Sequence, residues 1–477
     1  MDVLLVILQA AVVLGAIVMG VRTGGIGLGL WGVAGTLVLI FVFRLAPGSP
    51  PVDAFFIVIA VITAASAMQA AGGIDYLVSI ASRIIQANPS RLTYVAPLVA
   101  FAFTALAGTS NIFFALIPVI YETAYRNGQR PERSLAAATV TSALGITASP
   151  VSAAMAAYLV LASPFSLVQI LSITIPAAIV ACLVTSFVQQ RIGKELLDDP
   201  EFLKRVEAGK VEMPAVLVAQ QTARAEAVAG GAPHGKAARQ AKKAAAAVPA
   251  GSEKILHEVP PGGAVSAWIF VVAIIAVVLM GLFPALRPAF PNADGDLVAI
   301  GMSPVIEMFM FTAALVIILV RKVPPADVMK QPLLSSGIVA AIALFGIAWM
   351  ADTFISANKT TIVDPLGDLV TAVPILLAVA LFVMAGLTTS QSATTNTIVP
   401  IALAAGMPIG VITAMWPSLV GVWLFPANGS QIAAVETDRT GSTRLSSVPI
   451  WHSFTIPMLV SWVSAVAAGL LMSLVIR

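Results

Sequence analysis

AFTALAGTSNIFFALIPVI (102–120) and, far downstream, LFVMAGLTTSQSATTNTIVPIAL (381–403) are apolar segments interrupted by small polar residues. The interruptions are AGTSN (107–111) and LTTSQSATTN (387–396), set within apolar stretches 92–126 and 374–406. A helix needs about 20 apolar residues to cross a bilayer, and each arm beside these breaks offers only about 11 to 15. Both segments therefore read as re-entrant helix hairpins. Their polar tips sit at membrane depth, which is tolerable only where they line a protein or water cavity.

The rest of the chain fits that setting. Hydrophobic residues make up 59% of the sequence, charged residues only 10%, and the chain has a single cysteine. A mean hydropathy of +0.97 excludes an ordinary soluble domain. Full spans read near 2–21, 24–43, 53–71, 134–162, 166–188, 265–283, 302–320, 333–355, 409–434 and 453–476. The first starts apolar with no basic leader or cleavage site, so it reads as a retained span. Cys182 excludes a disulfide framework, and His234, His257 and His452 are too scattered for a metal cluster. The basic residues flank spans instead of forming a stripe, which argues against a nucleic-acid partner. The fold class expected is an all-α polytopic membrane protein of about ten transmembrane helices plus two re-entrant hairpins.

Charge orients it. With the N-terminus outside, Arg22, Arg83, Arg91, Arg126, Arg130, Arg133, Arg321, Lys322, Lys330, Arg439 and Arg444 face the cytoplasm. Arg44, Arg287, Lys359 and Arg477 remain outside, which satisfies the positive-inside rule and puts both termini in the periplasm. The polar stretch 190–263 then reads as a mobile, partly helical cytoplasmic linker with a basic Ala/Lys/Gln-rich run.

The halves echo each other in order. SPPVDAF (49–55) resembles VPPADVM (323–329), the two interrupted segments match, ITASPVSAA (146–154) answers LFPANGSQIAA (424–434), and SITIPAAIV (172–180) answers SFTIPMLVS (453–461). The spacing from Gly108 to Pro150 nearly equals that from Gly386 to Pro426. Given the orientation, the copies are inverted, the mark of a secondary transporter whose site lies where the breaks converge. The divisions expected are 1–73 and 265–356 as scaffold helices, 74–188 and 357–477 as hairpins with transport helices, and 189–264 as the linker.

At that convergence the candidate substrate-binding residues are Thr109, Ser110, Asn111, Thr389, Ser390, Gln391, Thr395 and Asn396. Exposed amides at half-helix N-termini hold carboxylates. Gly108, Ser149, Asn428 and Ser430, with carbonyls freed near Pro150 and Pro426, are candidates for a coupling cation. No Arg or Lys lies in a break, so an anion would rest on neutral groups. The competing reading is that these polar residues only tie helices together, at about 0.6 kcal/mol per bond. Their recurrence beside prolines in both copies favours a site. Asp352 and Glu307 are equally readable as proton relays or as helix-end and packing residues. Gly25 and Gly29 of GGIGLGLWG (24–32) have small-xxx-small spacing and read as a packing seam. An intramembrane enzyme would need a second acid or a Ser/His pair at matching depth, and a channel would show charge rings or a filter repeat.

At RTGGIGLGL (22–30), SAMQAAGGIDYLV (66–78), AGTSNIFFALIPVI (107–120), ITASPVSAA (146–154), GIAWMADTF (346–354), TSQSAT (389–394) and TDRTGSTR (437–444) the chain resembles the anaerobic C4-dicarboxylate transporter (Dcu) family. The likeness extends to DDPEFLKRVEAGKVE (198–212) and is greater to the uptake branch. It implies import or exchange of fumarate, succinate, malate and aspartate across a bacterial inner membrane. It also implies kinship with an ion-transporter superfamily of homodimers that hold substrate between two hairpin tips, here Thr109–Asn111 and Ser390–Asn396. No cofactor is expected beyond Na⁺ or H⁺ as the coupling ion. Ser110, Asn396 and PANGS (426–430) depart from the family pattern toward the Ser-Asn-Thr tips of sodium-coupled dicarboxylate carriers. Carriage of a sulfonate or another carboxylate is the alternative.

Overall fold

The computed structural model describes residues 3–23, 25–230, 259–291, 296–358, 373–425, 428–445 and 450–476. His234, His257, Lys359, the Ala/Lys/Gln-rich run and the Pro426-Ala427 pair lie outside them. The first half comprises α1 (Val3–Thr23), α2 (Gly27–Phe41), α3 (Val52–Ala70), α4 (Gly73–Ala87), α5 (Leu92–Ala107), α6 (Asn111–Arg126), α7 (Pro131–Thr147), α8 (Ala153–Leu161) and α9 (Leu167–Gln189). Two short helices follow, α10 (Pro200–Glu207) and α11 (Ala215–Ala229). The second half holds α12 (Gly263–Leu282), α13 (Met302–Arg321), α14 (Pro325–Met329), α15 (Pro332–Ala357), α16 (Ile375–Thr388), α17 (Gln391–Ala404) and α18 (Ile409–Met415). It ends with a 3-10 helix (Trp416–Trp423), α19 (Gly429–Thr437) and α20 (Thr455–Ser473). The only strands among the described residues form a small ribbon, Ala289–Pro291 with Leu297–Ala299.

Six of the described helices are each long and apolar enough to cross a membrane, and α1, α2, α16 and α18 with its 3-10 extension are shorter apolar helices. The segments 134–162 and 409–434 are each split, because the chain leaves helical geometry after Thr147 and again after Trp423. Both hairpins are present, with arms of 16 residues in α5 and in α6 and of 14 in α16 and in α17. At 1.5 Å per residue, 16 residues span about 24 Å, short of a core of about 30 Å. A 3-10 turn lengthens the first arm to 19 residues, Pro89–Ala107, enough by length to cross alone. It ends all the same at Gly108, where the chain reverses.

Matching close packings run through both halves. Gly145 of α7 sits on the Phe101 carbonyl of α5, and Gly421 sits on the Phe382 carbonyl of α16. A β-carbon at either glycine would collide with backbone, so each hairpin's first arm seats directly on the helix that follows it. α2 lies against α15 and α3 against α13. The α2 seam uses Gly29, Gly32 and Gly35, which face Ile342, Gly346 and Met350; a β-carbon at Gly25 would meet none of the described residues beyond its chain neighbours. α9 and α20 pack together and share a Thr185–Ser461 hydroxyl contact of 2.7 Å.

Three features differ from the sequence reading. α4 turns off α3 by 74° at Gly72, whose φ is +77°, and buries Leu77, Val78, Ala81 and Ile85 while leaving Arg83 exposed. It bridges α12 and the hairpin α5–α6. The ribbon between α12 and α13 was also unforeseen.

The third difference is a correction: residues 196–229 are folded and docked. Leu196, Phe202, Val211 and Leu217 form their own core, packed against Tyr125 at the end of α6. The Tyr125 hydroxyl donates to the Glu212 carbonyl, Arg130 pairs with Asp199, and Arg133 pairs with Glu195. The polar composition of this stretch hid four large apolar residues, scattered over separate short elements, that together make the core of a small cap.

Candidate functional site

The two hairpin tips share one cavity of about 340 Å³. Gly108, Thr109 and Ser110 line it from the first tip, and Thr389, Ser390, Gln391 and Ser392 from the second. Val151, Ala153 and Ala154 come from the α7–α8 break, Asn428 from the break before α19, and Trp423 and Val422 from the 3-10 helix. The opposite wall is apolar: Val61, Ile62 and Ala65 of α3, and Leu333, Gly337 and Ala340 of α15. None of the described residues lining it is charged.

Backbone geometry makes the tips. Both first arms end in a left-handed residue, Gly108 at φ +69° and Thr389 at φ +50°. A β-branched residue in that region is unfavourable, and such strain collects at functional sites. Gly108 leaves no room for a side chain, because a β-carbon there would lie 2.6 Å from the Val151 carbonyl oxygen. Tip and helix break are thus in direct contact.

Four helices begin at this cavity. Ser110 is the N-cap of α6, Ala153 opens α8, Ser390 caps α17 and Asn428 caps α19, and all four residues line it. Each helix N-terminus carries about +0.5 elementary charge, so four converging ones offer on the order of +2. That matches a dianion without one cationic side chain. Ser152, Ser390 and Asn428 already accept backbone N–H groups of their own helices, whereas Ser110 makes no such bond.

Gln391 stitches the second tip in place. Its Nε2 donates to the Ala143 carbonyl of α7 at 3.0 Å and lies 3.5 Å from the Leu419 carbonyl. Trp423 Nε1 donates to the Val140 carbonyl, and Trp416 Nε1 to Thr395 Oγ1.

Residues 5–477 match the family described as anaerobic C4-dicarboxylate membrane transporter, DcuA_DcuB. The anaerobic C4-dicarboxylate transporter DcuB of Escherichia coli O6:H1 is 33% identical over 479 residues, covering 97% of this chain and 99% of its own. The chain belongs to the anaerobic C4-dicarboxylate transporter family. The Helicobacter pylori C4-dicarboxylate transporter DcuA is 32% identical, with 97% of each chain covered. The solved MtrF of Neisseria gonorrhoeae, described as illuminating a class of antimetabolite efflux pumps, shares 12% identity over 92% of this chain and 83% of its own at a TM-score of 0.51. That likeness shows a common fold. The family is one of membrane transporters, not enzymes.

Within this Dcu-family fold the expected site residues separate into two sets. Gly108, Thr109, Ser110, Thr389, Ser390, Gln391 and Asn428 reach the cavity. Asn111 opens α6 beside it. Thr395, Asn396, Ser149 and Ser430 do not line it and are buried behind. Ser149 Oγ accepts the Val151 N–H, and Thr395 lies between the Gln391 carbonyl and Trp416. Asn396 is 1% exposed, and neither of its amide atoms has a hydrogen-bond partner among the described residues. Asp352 has a clamping contact: its carboxylate accepts the Ser49 N–H at 2.7 Å, while Trp349 Nε1 donates to the Gly48 carbonyl.

Sequence reasoning covered Ser392 only within the Ser390–Asn396 tip and missed the whole apolar wall. Val61 or Ala340 carries no polar signal to distinguish a cavity face from a packed one.

Proposed function

We propose that the cavity between the hairpin tips carries C4-dicarboxylates such as fumarate, succinate, malate and aspartate by alternating access. The observation that supports it most is the convergence of four helix N-termini on a cavity with no charged side chain among the described residues. Two carboxylates need two anion seats, and the paired tips supply them at Ser110–Asn111 and Ser390–Ser392. A cavity of about 340 Å³ suits a small ligand with a few waters.

In this reading α4–α9 and α16–α20 move together past α1–α3 and α12–α15, as the expected transport and scaffold divisions. The breaks keep polar backbone at membrane depth only where it faces the cavity. Na⁺ or H⁺ couples the movement. Asn396 offers an unpaired buried amide oxygen for a cation one helical turn behind Ser392, and Ser149 and Ser430 sit close to the breaks. The protein works as a homodimer in the bacterial inner membrane with both termini periplasmic.

Proteoliposome uptake of labelled succinate, with and without an inward sodium gradient, tests this. Uptake that rises with the gradient supports a sodium-coupled carrier, and gradient-independent exchange against internal fumarate supports an exchanger. Neither accumulation nor exchange of any C4-dicarboxylate would remove the proposal.

A further inference from the structure

The cavity has two unlike sides. Its polar atoms come from the tips and the break before α19, whereas α3 and α15 present Val61, Ile62, Ala65, Leu333 and Ala340. Val61, Ala65 and Leu333 are each 5% exposed or less, so little of this wall meets anything but the cavity and its neighbours. Gly337 sets the wall's position, since a β-carbon there would strike the Ile62 side chain.

We infer that this apolar wall, with Val61 and Ala340 as its adjustable members, measures the carbon bridge between the two carboxylates and sets the chain length of the substrate. The inference rests on the dicarboxylate reading. Helix N-termini and tip hydroxyls fix the two carboxylate positions, so a bridge of the wrong length must press into the wall or leave it unfilled. One methylene in an apolar pocket discriminates by about 10- to 200-fold. A wall without hydrogen-bonding side chains also holds no polar group that must be broken when the site slides along it. Ile62 is a poor probe because α15 pins it at Gly337.

The test is competition against labelled succinate uptake by the full-length protein in proteoliposomes, using malonate, glutarate and unlabelled succinate. Val61→Ala deepens the wall, and the ratio of glutarate to succinate potency should rise about tenfold. Ala340→Val fills it, and the ratio of malonate to succinate potency should rise. Opposite responses in two variants cannot come from general damage, and monodisperse elution with wild-type melting confirms folding. Should either variant fail to fold, the other still moves its own ratio. Unmoved ratios in folded, transporting protein overturn the inference alone. Absence of dicarboxylate uptake by the wild type overturns the dicarboxylate reading and this inference with it.

Discussion

Each hairpin tip turns on a single left-handed residue. Gly108 and Thr389 occupy the same left-handed position in the two copies, yet only one is glycine. Gly108→Ala should destabilise the protein by roughly 1–3 kcal/mol, because its β-carbon meets the Val151 carbonyl as well as an unfavourable φ. Thr389→Gly should be neutral or mildly stabilising, because it relieves about 1–2 kcal/mol of backbone strain against a more flexible unfolded chain. Thermal unfolding in detergent reads both. A stable Gly108→Ala protein with unchanged uptake would show that tip and break are not held in contact. The polar residue types at the tips were legible from sequence. Which of them face the cavity was not: Thr395 and Asn396 share a helix face with Gln391 and Ser392 but lie one turn further along α17, buried behind the cavity. Which turn meets the cavity depends on where α17 starts, which the Ser390 cap fixes by accepting the Ala393 N–H.

Elements meet at a buried polar node that no hydropathy pattern could show. Arg130, at the start of α7, pairs with Glu132 at 2.6 Å and with Asp199 of the cap. The Ser453 hydroxyl donates to Glu132 at 2.6 Å, and Ser442 accepts the Glu132 N–H while donating to Asp438. The node thereby ties α7 to the segment between α19 and α20, and both to the cap. Breaking a buried pair by removing one partner costs about 3–5 kcal/mol, so Arg130→Met should melt well below wild type, with Arg130→Lys between them.

The same contact has a pH signature. Burial raises the Asp199 pKa, but the Arg130 hydrogen bond and charge outweigh it and leave the carboxylate below its ordinary value. Its stabilisation is therefore complete above the unfolded value of about 3.9 and is lost as pH falls through the folded one. The melting difference between wild type and Asp199→Asn should be constant near neutrality and shrink below about pH 4. A difference that grows on acidification would contradict the pairing.

At the scale of the molecule, the inverted repeat was legible because proline, glycine and polar breaks recur in order in both halves. The structure repeats them as packing, with Gly145 on Phe101 and Gly421 on Phe382. The cap and α4 escaped notice for a physical reason: a few apolar residues set among charged ones raise mean hydropathy very little. In the proposed mechanism a dicarboxylate sits where the two copies meet.

That claim is tested most directly by substrate protection. With Cys182 replaced by Ala, a Thr389→Cys protein carries one thiol, at an exposed position on the cavity rim. Its reaction with a small hydrophilic maleimide in membranes should slow in proportion to added succinate and be unaffected by butyrate, which has one carboxylate. A labelling rate indifferent to succinate, in protein that still transports it, would place the substrate elsewhere.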